Sequence, residues 1–494
     1  MDGEQEFGTL RRLLWPIRRA ELKKFLPMLL MFFFISLVYS LLRNTKDTLI
    51  VTAPGGGADL IPFLKVYGVI PVSVLFMLVY ARMSDRLSRQ MLFYAALVPF
   101  LVFFCCFAFV FPVREAIQPH WQARLPPGLA NLAAMARHWV LCLFYVMAEL
   151  WGSVALSLLF WTFANDIVKL EESRRFYALF GIGANLALVA VKFANQAIHA
   201  LEARLVRHFP MAGWTAYVIL LMAMVLLCIT AILLIYHWIN RNVLTDPRFY
   251  SPAEQRARSR PRPRMPFREA YGFLLRSRYL LWIAIMVIGY GIAINLIEVT
   301  WKTHLGLLHP EPRDYQDYMA NFSLATGATT LFLMLFVANN VIRVFGWTVA
   351  ALATPTVLLV TGIGFFGFIL FEDAAAPWLA RFHSTPLAAA VLFGTLQNVL
   401  SKATKYSLFD PTKEMAYIPL DPESKIKGKA AIDVVGARLG KAGGAVIQQG
   451  LIALHHSLRA VPGQIALILL VVIGAWLWAT RRLGRAFARL ARNA

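Results

Sequence analysis

Ionisable residues placed inside long apolar runs are the feature of this sequence most able to do chemistry. The run "FYVMAELWGSVALSLLFW" holds Glu149, and "INLIEVTWK" holds Asn295 and Glu298 three residues apart, with Lys302 following. "LLRNTKD" sets Arg43 and Lys46 three apart, hence on one face of a helix. "IDVVGARLGKAGGAVIQQG" adds Asp433, Arg438 and Lys441. A charge at the centre of a membrane helix costs roughly 2.5 to 3.5 kcal/mol on insertion scales unless it meets a partner or a water-filled cavity, so groups kept there are candidates for binding. Lysine and arginine make charge-assisted bonds to phosphate oxygens. The carboxylates can accept from a sugar hydroxyl, pair with lysines in an empty site, or take up a proton, and Asn295 can read a base edge or a hydroxyl. Together they suit a substrate with strong negative charge and hydrogen-bond donors. The structural alternative is ion pairing between helices, or Lys and Arg reaching the interface from span ends, where Arg43 and Lys302 are predicted to lie.

The elements that must position these groups are membrane helices. The chain has 494 residues, 59% hydrophobic and 15% charged, well above the roughly 45 to 50% apolar content of soluble domains. Windows of roughly 18 to 25 apolar residues predict twelve spans, near 25–42, 61–81, 91–113, 137–163, 175–200, 213–238, 279–301, 319–342, 347–371, 384–402, 431–454 and 463–480. The expected fold is an all-α integral membrane protein with twelve transmembrane helices in two six-helix halves. Its expected parts are a cytoplasmic segment 1–24, an N-terminal half 25–238, a basic linker 239–278 containing "RARSRPRPRMP", a C-terminal half 279–480 and a basic tail 481–494.

The formal net charge of +22 is concentrated in short segments that flank the spans. That is the positive-inside pattern, so it points to a bilayer rather than to nucleic acid, with both termini on the cytoplasmic side of a bacterial inner membrane. The first 24 residues mix acids with bases and hold no apolar core, which argues against a signal or transit peptide. Spans 4 and 10 each run into a basic turn, "KLEESRR" and "KEMAYIPLDPESKIKGK", and each is followed by a glycine-containing helix. Small residues let helices approach closely in lipid, and their recurrence in both halves suggests the moving surfaces of a transporter. The turn "ARMSDRLSR" resembles the Asp-Arg loop of the major facilitator superfamily, with Ala81 and Ser88 where glycines are usual. That resemblance implies that spans 1, 4, 7 and 11, which hold the charges, face inward.

Other chemistries find no support in the sequence. "APGGGADLIPFLK" and "RLGKAGG" lack the Gly-Lys-Ser/Thr ending of a phosphate loop, since Ala442 stands where the hydroxyl is needed, and "GIGANL" lacks the preceding strand and final glycine of a dinucleotide fold. The four cysteines and the scattered histidines have no metal-ligand or disulfide spacing. Neither a cofactor nor an enzymatic activity is expected.

"ELKKFLPMLLMFF", "RNTKDTLIVTAPG", "ELWGSV", "RFYALFGIGAN", "VLTDPRFY", "INLIEVTWK", "TKYSLFDPTKEMAYIPLD" and "KGKAAIDVVGARLGKAGG" resemble, in order, the ATP:ADP translocases (nucleotide transport proteins) of intracellular bacteria and plastids, of the chlamydial ATP/ADP-exchanging type. The resemblance implies antiport of external host ATP against internal ADP, with phosphate in some members, and the expected architecture usually works as a monomer. The resemblance also implies that Lys46, Glu149, Glu298 and Lys441 are the functional charges; relatives often carry serine where Ala442 follows Lys441. Glu298 is then expected to face a nucleotide cavity and to pair with Lys46 or Lys441 when the site is empty. The alternative within the same resemblance is a proton-coupled importer of several nucleoside triphosphates, with Glu149 or Glu298 carrying the proton.

Overall fold

A backbone in hydrocarbon must satisfy its own hydrogen bonds, and a helix does so within one segment; the described residues accordingly contain helices and no strand. The computed structural model describes residues 17–119, 127–208, 212–246, 249, 277–421, 428–429, 432 and 436–493. Most of the predicted linker, from residue 250 to 276, and Asp433 lie outside them. Ten helical segments among the described residues are long and apolar enough to cross a membrane.

The long helices are α1 (Leu22–Val51), α2 (Leu60–Ser84), α3 (Arg89–Val113), α4 (Trp139–Ile167), α5 (Leu170–His208), α6 (Gly213–Asn242) and α7 (Arg278–Leu308). α8 starts as Pro312–Phe332 and continues through a π-helical turn, Leu333–Val337, into the segment Ala338–Leu370. Gly346 interrupts that segment with φ +79°, a left-handed conformation that suits glycine, so the chain turns there and α9 is the part that follows. α10 (Pro386–Thr404), α11 (Ala437–His455) and α12 (Pro462–Asn493) complete the series. α10 and α11 stand where spans 10 and 11 are expected. Side-chain oxygens cap several N-termini: Ser88 accepts from the Met91 amide, Ser277 from Leu280 and Thr385 from Ala388.

The chain divides into two compact units. The first comprises residues 1–46, 72–117 and 146–261; the second comprises 47–71, 118–145 and 262–494. α1 therefore contributes to both, with the division falling after Lys46. In the first unit α1 packs on α4 and α5 through Phe25, Phe32, Phe160 and Phe180, and Phe93 stacks on Tyr236 with ring centres 3.7 Å apart. The buried indole of Trp151 donates to the Ile35 carbonyl across 3.2 Å. Near the start of α1, Lys24 pairs with Glu172 at 2.7 Å.

The second unit is built around α7, which packs against α10, α11 and α12. Trp301 donates from α7 to the Val391 carbonyl and the Thr395 hydroxyl of α10, and Gln448 of α11 donates to the Asn295 carbonyl. The stretch 47–71 belongs to this unit through its own contacts. Asp59 accepts from the Ser457 hydroxyl at 2.9 Å and from the Leu458 amide, and Gln449 donates to the Pro62 carbonyl at 3.0 Å. Burial pushes the Asp59 carboxyl above its usual range, with the Ser457 and Leu458 hydrogen bonds and the nearby Arg459 acting against it.

α11 meets α7 almost backbone to backbone. A Cβ on Gly440 would lie 3.0 Å from the Gly291 Cα and 3.1 Å from the Ile288 carbonyl, and one on Gly444 would lie 2.7 Å from the Asn295 Cβ. This four-residue glycine spacing is a close-approach surface in lipid. Gly440→Val is expected to destabilise the protein by about 1–3 kcal/mol through overpacking, read as a lower melting temperature in detergent. Gly450→Ala, on the same helix with nothing within 4 Å of the added Cβ, serves as the unperturbed comparison.

Candidate functional site

Each unit carries a set of buried charges, and each set is assembled by close helix packing. In the first unit α4 approaches α1 at Gly152, where a Cβ would fall 2.5 Å from the Tyr39 ring. Gly152 also opens a π-helical turn, Gly152–Leu159. π turns widen a helix by one residue and recur at functional sites. Glu149, one turn before it, meets Lys46 of α1 with Oε1 2.9 Å from Nζ. The lysine side chain is 4% exposed and the glutamate side chain 32%. The pair is therefore open on the carboxylate side.

In the second unit Lys302 is the hub. Its ammonium lies 2.8 Å from Asp47 and 3.1 Å from Glu298, one turn back on the same helix. Glu298 also meets Lys402 of α10 at 3.5 Å, and that ammonium sits 4.7 Å from the centre of the Phe322 ring. Asp47 is fully buried, whereas the Glu298 side chain is 16% exposed. Two carboxylates and two ammonium groups balance, so the set is neutral as a whole, which is what a low-dielectric setting requires. Nearby in the same unit Lys65 donates to the Asn295 side-chain carbonyl, and Thr48 donates to Gln316 at 2.6 Å.

Of the residues singled out by sequence, Lys46 and Glu149 come together in the first unit, and Asn295 and Glu298 lie on α7 in the second. Arg43 is half-buried on α1. Arg438 and Lys441 fall on α11, but their side chains, like the whole of Asp433, lie outside the described residues. Glu298 meets Lys302, four residues on along the same helix, and Lys402, while Lys46 meets Glu149; the expected partner Lys441 has its side chain outside the described residues. One expectation changes: Lys302 is not an interfacial residue, because α7 runs on to Leu308 and leaves it 3% exposed.

Asp47, Lys65 and Lys402 are not picked out by sequence. The predicted span 1 ends near residue 42, before Asp47, and the predicted span 10 ends at Lys402 itself, so each lies at or beyond a span end. Both helices continue: α1 to Val51, and α10 through a π turn, Lys405–Phe409, into Asp410–Ala416. Among the described residues no group of His, Cys, Asp and Glu is arranged to hold a metal ion. The buried lysines offer charge-assisted hydrogen bonds to an anion.

Because Asp47 is fully buried against Lys302, Asp47→Asn is expected to leave an excess positive charge and to cost about 3–5 kcal/mol. Replacing both partners, Asp47→Leu with Lys302→Met, is expected to recover most of that loss. Melting temperatures of the purified single and double variants check both statements.

The sequence model of the TLC ATP/ADP transporter family matches residues 1–487. The chain is 51% identical to ADP,ATP carrier protein 1 of Chlamydia pneumoniae, over 98% of this chain and 95% of that protein. It is 41% identical to ADP,ATP carrier protein 1 of Rickettsia bellii, over 99% of this chain and 98% of that one. It is 45% identical to the chloroplastic ADP,ATP carrier protein 1 of Arabidopsis thaliana, over 95% of this chain and 75% of the plant protein. Among solved structures, a bacterial homologue of the iron transporter ferroportin in its inward-facing state gives a TM-score of 0.60 at 14% identity, covering 96% of this chain and 99% of that one. A D-xylose-proton symporter gives 0.55 at 13%, covering 93% and 96%. These two likenesses concern the fold alone, which is the all-helical, major-facilitator-like membrane architecture expected from the sequence. With most of its length matched by the family and three such carriers at 41–51% identity, this chain belongs to the TLC ATP/ADP transporter family.

Proposed function

We propose that this chain is an ATP/ADP antiporter of a bacterial inner membrane, taking up external ATP against internal ADP by alternating access, with both termini cytoplasmic. The six-helix halves 25–238 and 279–480 are its moving parts in this reading, and a monomer suffices. The observation that carries the reading is the pairing of buried lysines with carboxylates that keep some exposure, Lys46 with Glu149 above all. The names of the related carriers supply the substrate.

A nucleotide phosphate offers a lysine more negative charge and more acceptor oxygens than a glutamate does. When ATP or ADP arrives, its phosphates displace Glu149 from Lys46, and the released carboxylate is free to accept from a ribose hydroxyl. Glu298 acts in the same way in the second unit, and Asn295 contributes hydrogen bonds to the sugar or base. Arg438 and Lys441, on the helix after the basic turn, add cations for the remaining phosphate charge. With no nucleotide, the ion pairs re-form and hold the helices they join. A carrier held by its own ion pairs reorients when nucleotide replaces them, and this makes transport an exchange. Phosphate leaving together with ADP fits the same sites.

The test is uptake of radiolabelled ATP by proteoliposomes preloaded with ADP or with buffer, with and without a proton-gradient uncoupler. Uptake is expected to require internal ADP and to ignore the uncoupler. Uptake into empty vesicles that collapses with the uncoupler would overturn exchange in favour of a proton-coupled nucleoside triphosphate importer.

A further inference from the structure

The two charge sets are built on one plan. Counting Leu22 and Arg278 as first residues, Lys46 and Lys302 are each the twenty-fifth residue of their helix, α1 and α7. The match is one of helical turn. A second match lies on α4 and α10. Glu149 stands three residues before the π turn that opens at Gly152 of α4, and Lys402 stands three residues before the π turn that opens at Lys405 of α10. The separations agree as well: 256 residues from Lys46 to Lys302 and 253 from Glu149 to Lys402. Lys402 is thus the counterpart of Glu149 in the second of two related halves, with its charge reversed.

The reversal has an electrostatic consequence. In the first unit a lysine on α1 meets a glutamate on α4 directly. In the second, the equivalent positions carry two lysines, and Glu298, one turn before Lys302, lies between them at 3.1 and 3.5 Å. The two lysines are not alike. Lys302 also holds Asp47 at 2.8 Å, with both side chains almost sealed, and has a structural part. Lys405, one turn on from Lys402, is enclosed by Asp410 at 2.7 Å and by the Tyr290 and Tyr406 rings. Lys402 shares its carboxylate with Lys302, so when Lys402 turns to another anion Glu298 still has a cation beside it, and its partial exposure helps to carry the negative charge left over.

We propose that Lys402 is a phosphate-binding residue of the nucleotide site, exchanging Glu298 for the outer phosphates of the substrate while Glu298 stays beside Lys302. This rests on the nucleotide-exchange reading above. Affinities of the purified protein for ATP and for AMP, measured by calorimetry, test it. AMP shares the base, the sugar and the first phosphate but lacks the outer two. Lys402→Gln is expected to melt cooperatively, to lose about tenfold in ATP affinity, as removal of one charge-assisted bond implies, and to change AMP affinity much less. Lys402→Arg is expected to keep most of the preference for ATP. A general packing role would lower both affinities together, and that result, or no loss of either, overturns the proposal. If Lys402→Gln fails to fold, Lys402→Met, whose unbranched chain fills the same space beside Phe322, carries the same comparison. Absence of nucleotide binding by the unsubstituted protein would overturn the exchange reading itself, whereas normal ATP binding with an unchanged ATP-to-AMP ratio in the variants would overturn the role of Lys402 alone.

Discussion

An ionised group inside a bilayer has to be neutralised by something within reach, and the architecture of this protein follows from that constraint. Lys46, Asp47, Glu298, Lys302 and Lys402 are all nearly buried in apolar helices, and each has an opposite charge within 4 Å. Removing one member of such a set leaves an uncompensated charge, which is why buried pairs are costly to break even where they add little net stability. The same cost makes them useful in a carrier of highly charged solutes. A site that is neutral when empty can accept an anion only by releasing one of its own carboxylates, so occupancy and conformation are tied together.

The helices are shaped to bring these charges into range. π turns interrupt α2 at Leu64–Val69, α4 at Gly152–Leu159, α8 at Leu333–Val337 and α10 at Lys405–Phe409. Lys65 lies within the first, while Glu149 and Lys402 stand one turn before the second and the fourth. An extra residue in a helical turn shifts the face presented by everything after it, and it leaves backbone groups that can re-pair as the helix bends. Glycines do the complementary work. Gly152 lets α4 come against Tyr39 of α1, and Gly440 and Gly444 let α11 come against α7. Close approach of backbones is what allows side chains of modest length to meet across helices.

Much of this could be read before any coordinates. Apolar runs of spanning length set the helical membrane fold, and the motifs around Lys46, Glu149 and Glu298 marked the charged positions because so few ionisable residues interrupt those runs. The pairing itself could not be read. Hydropathy trims a helix at its first charges, so α1 and α10 seemed to end near residues 42 and 402, and Asp47 and Lys402 dropped out of view. The outward-facing apolar side chains, such as Phe109, Leu227 and Leu234, are the converse case. Their exposure is ordinary for residues that face lipid.

The central claim is that carboxylate and phosphate compete for the same lysines. The affinity of Glu149→Gln for ATP, measured by calorimetry beside the unsubstituted protein, tests it most directly. If Glu149 holds Lys46 in the empty site, neutralising it removes the competitor, so ATP should bind more tightly while exchange slows because the empty-state pair can no longer re-form. An unchanged or weakened affinity with normal exchange would show that Glu149 does not compete with phosphate for Lys46, and the mechanism would fail at its first step.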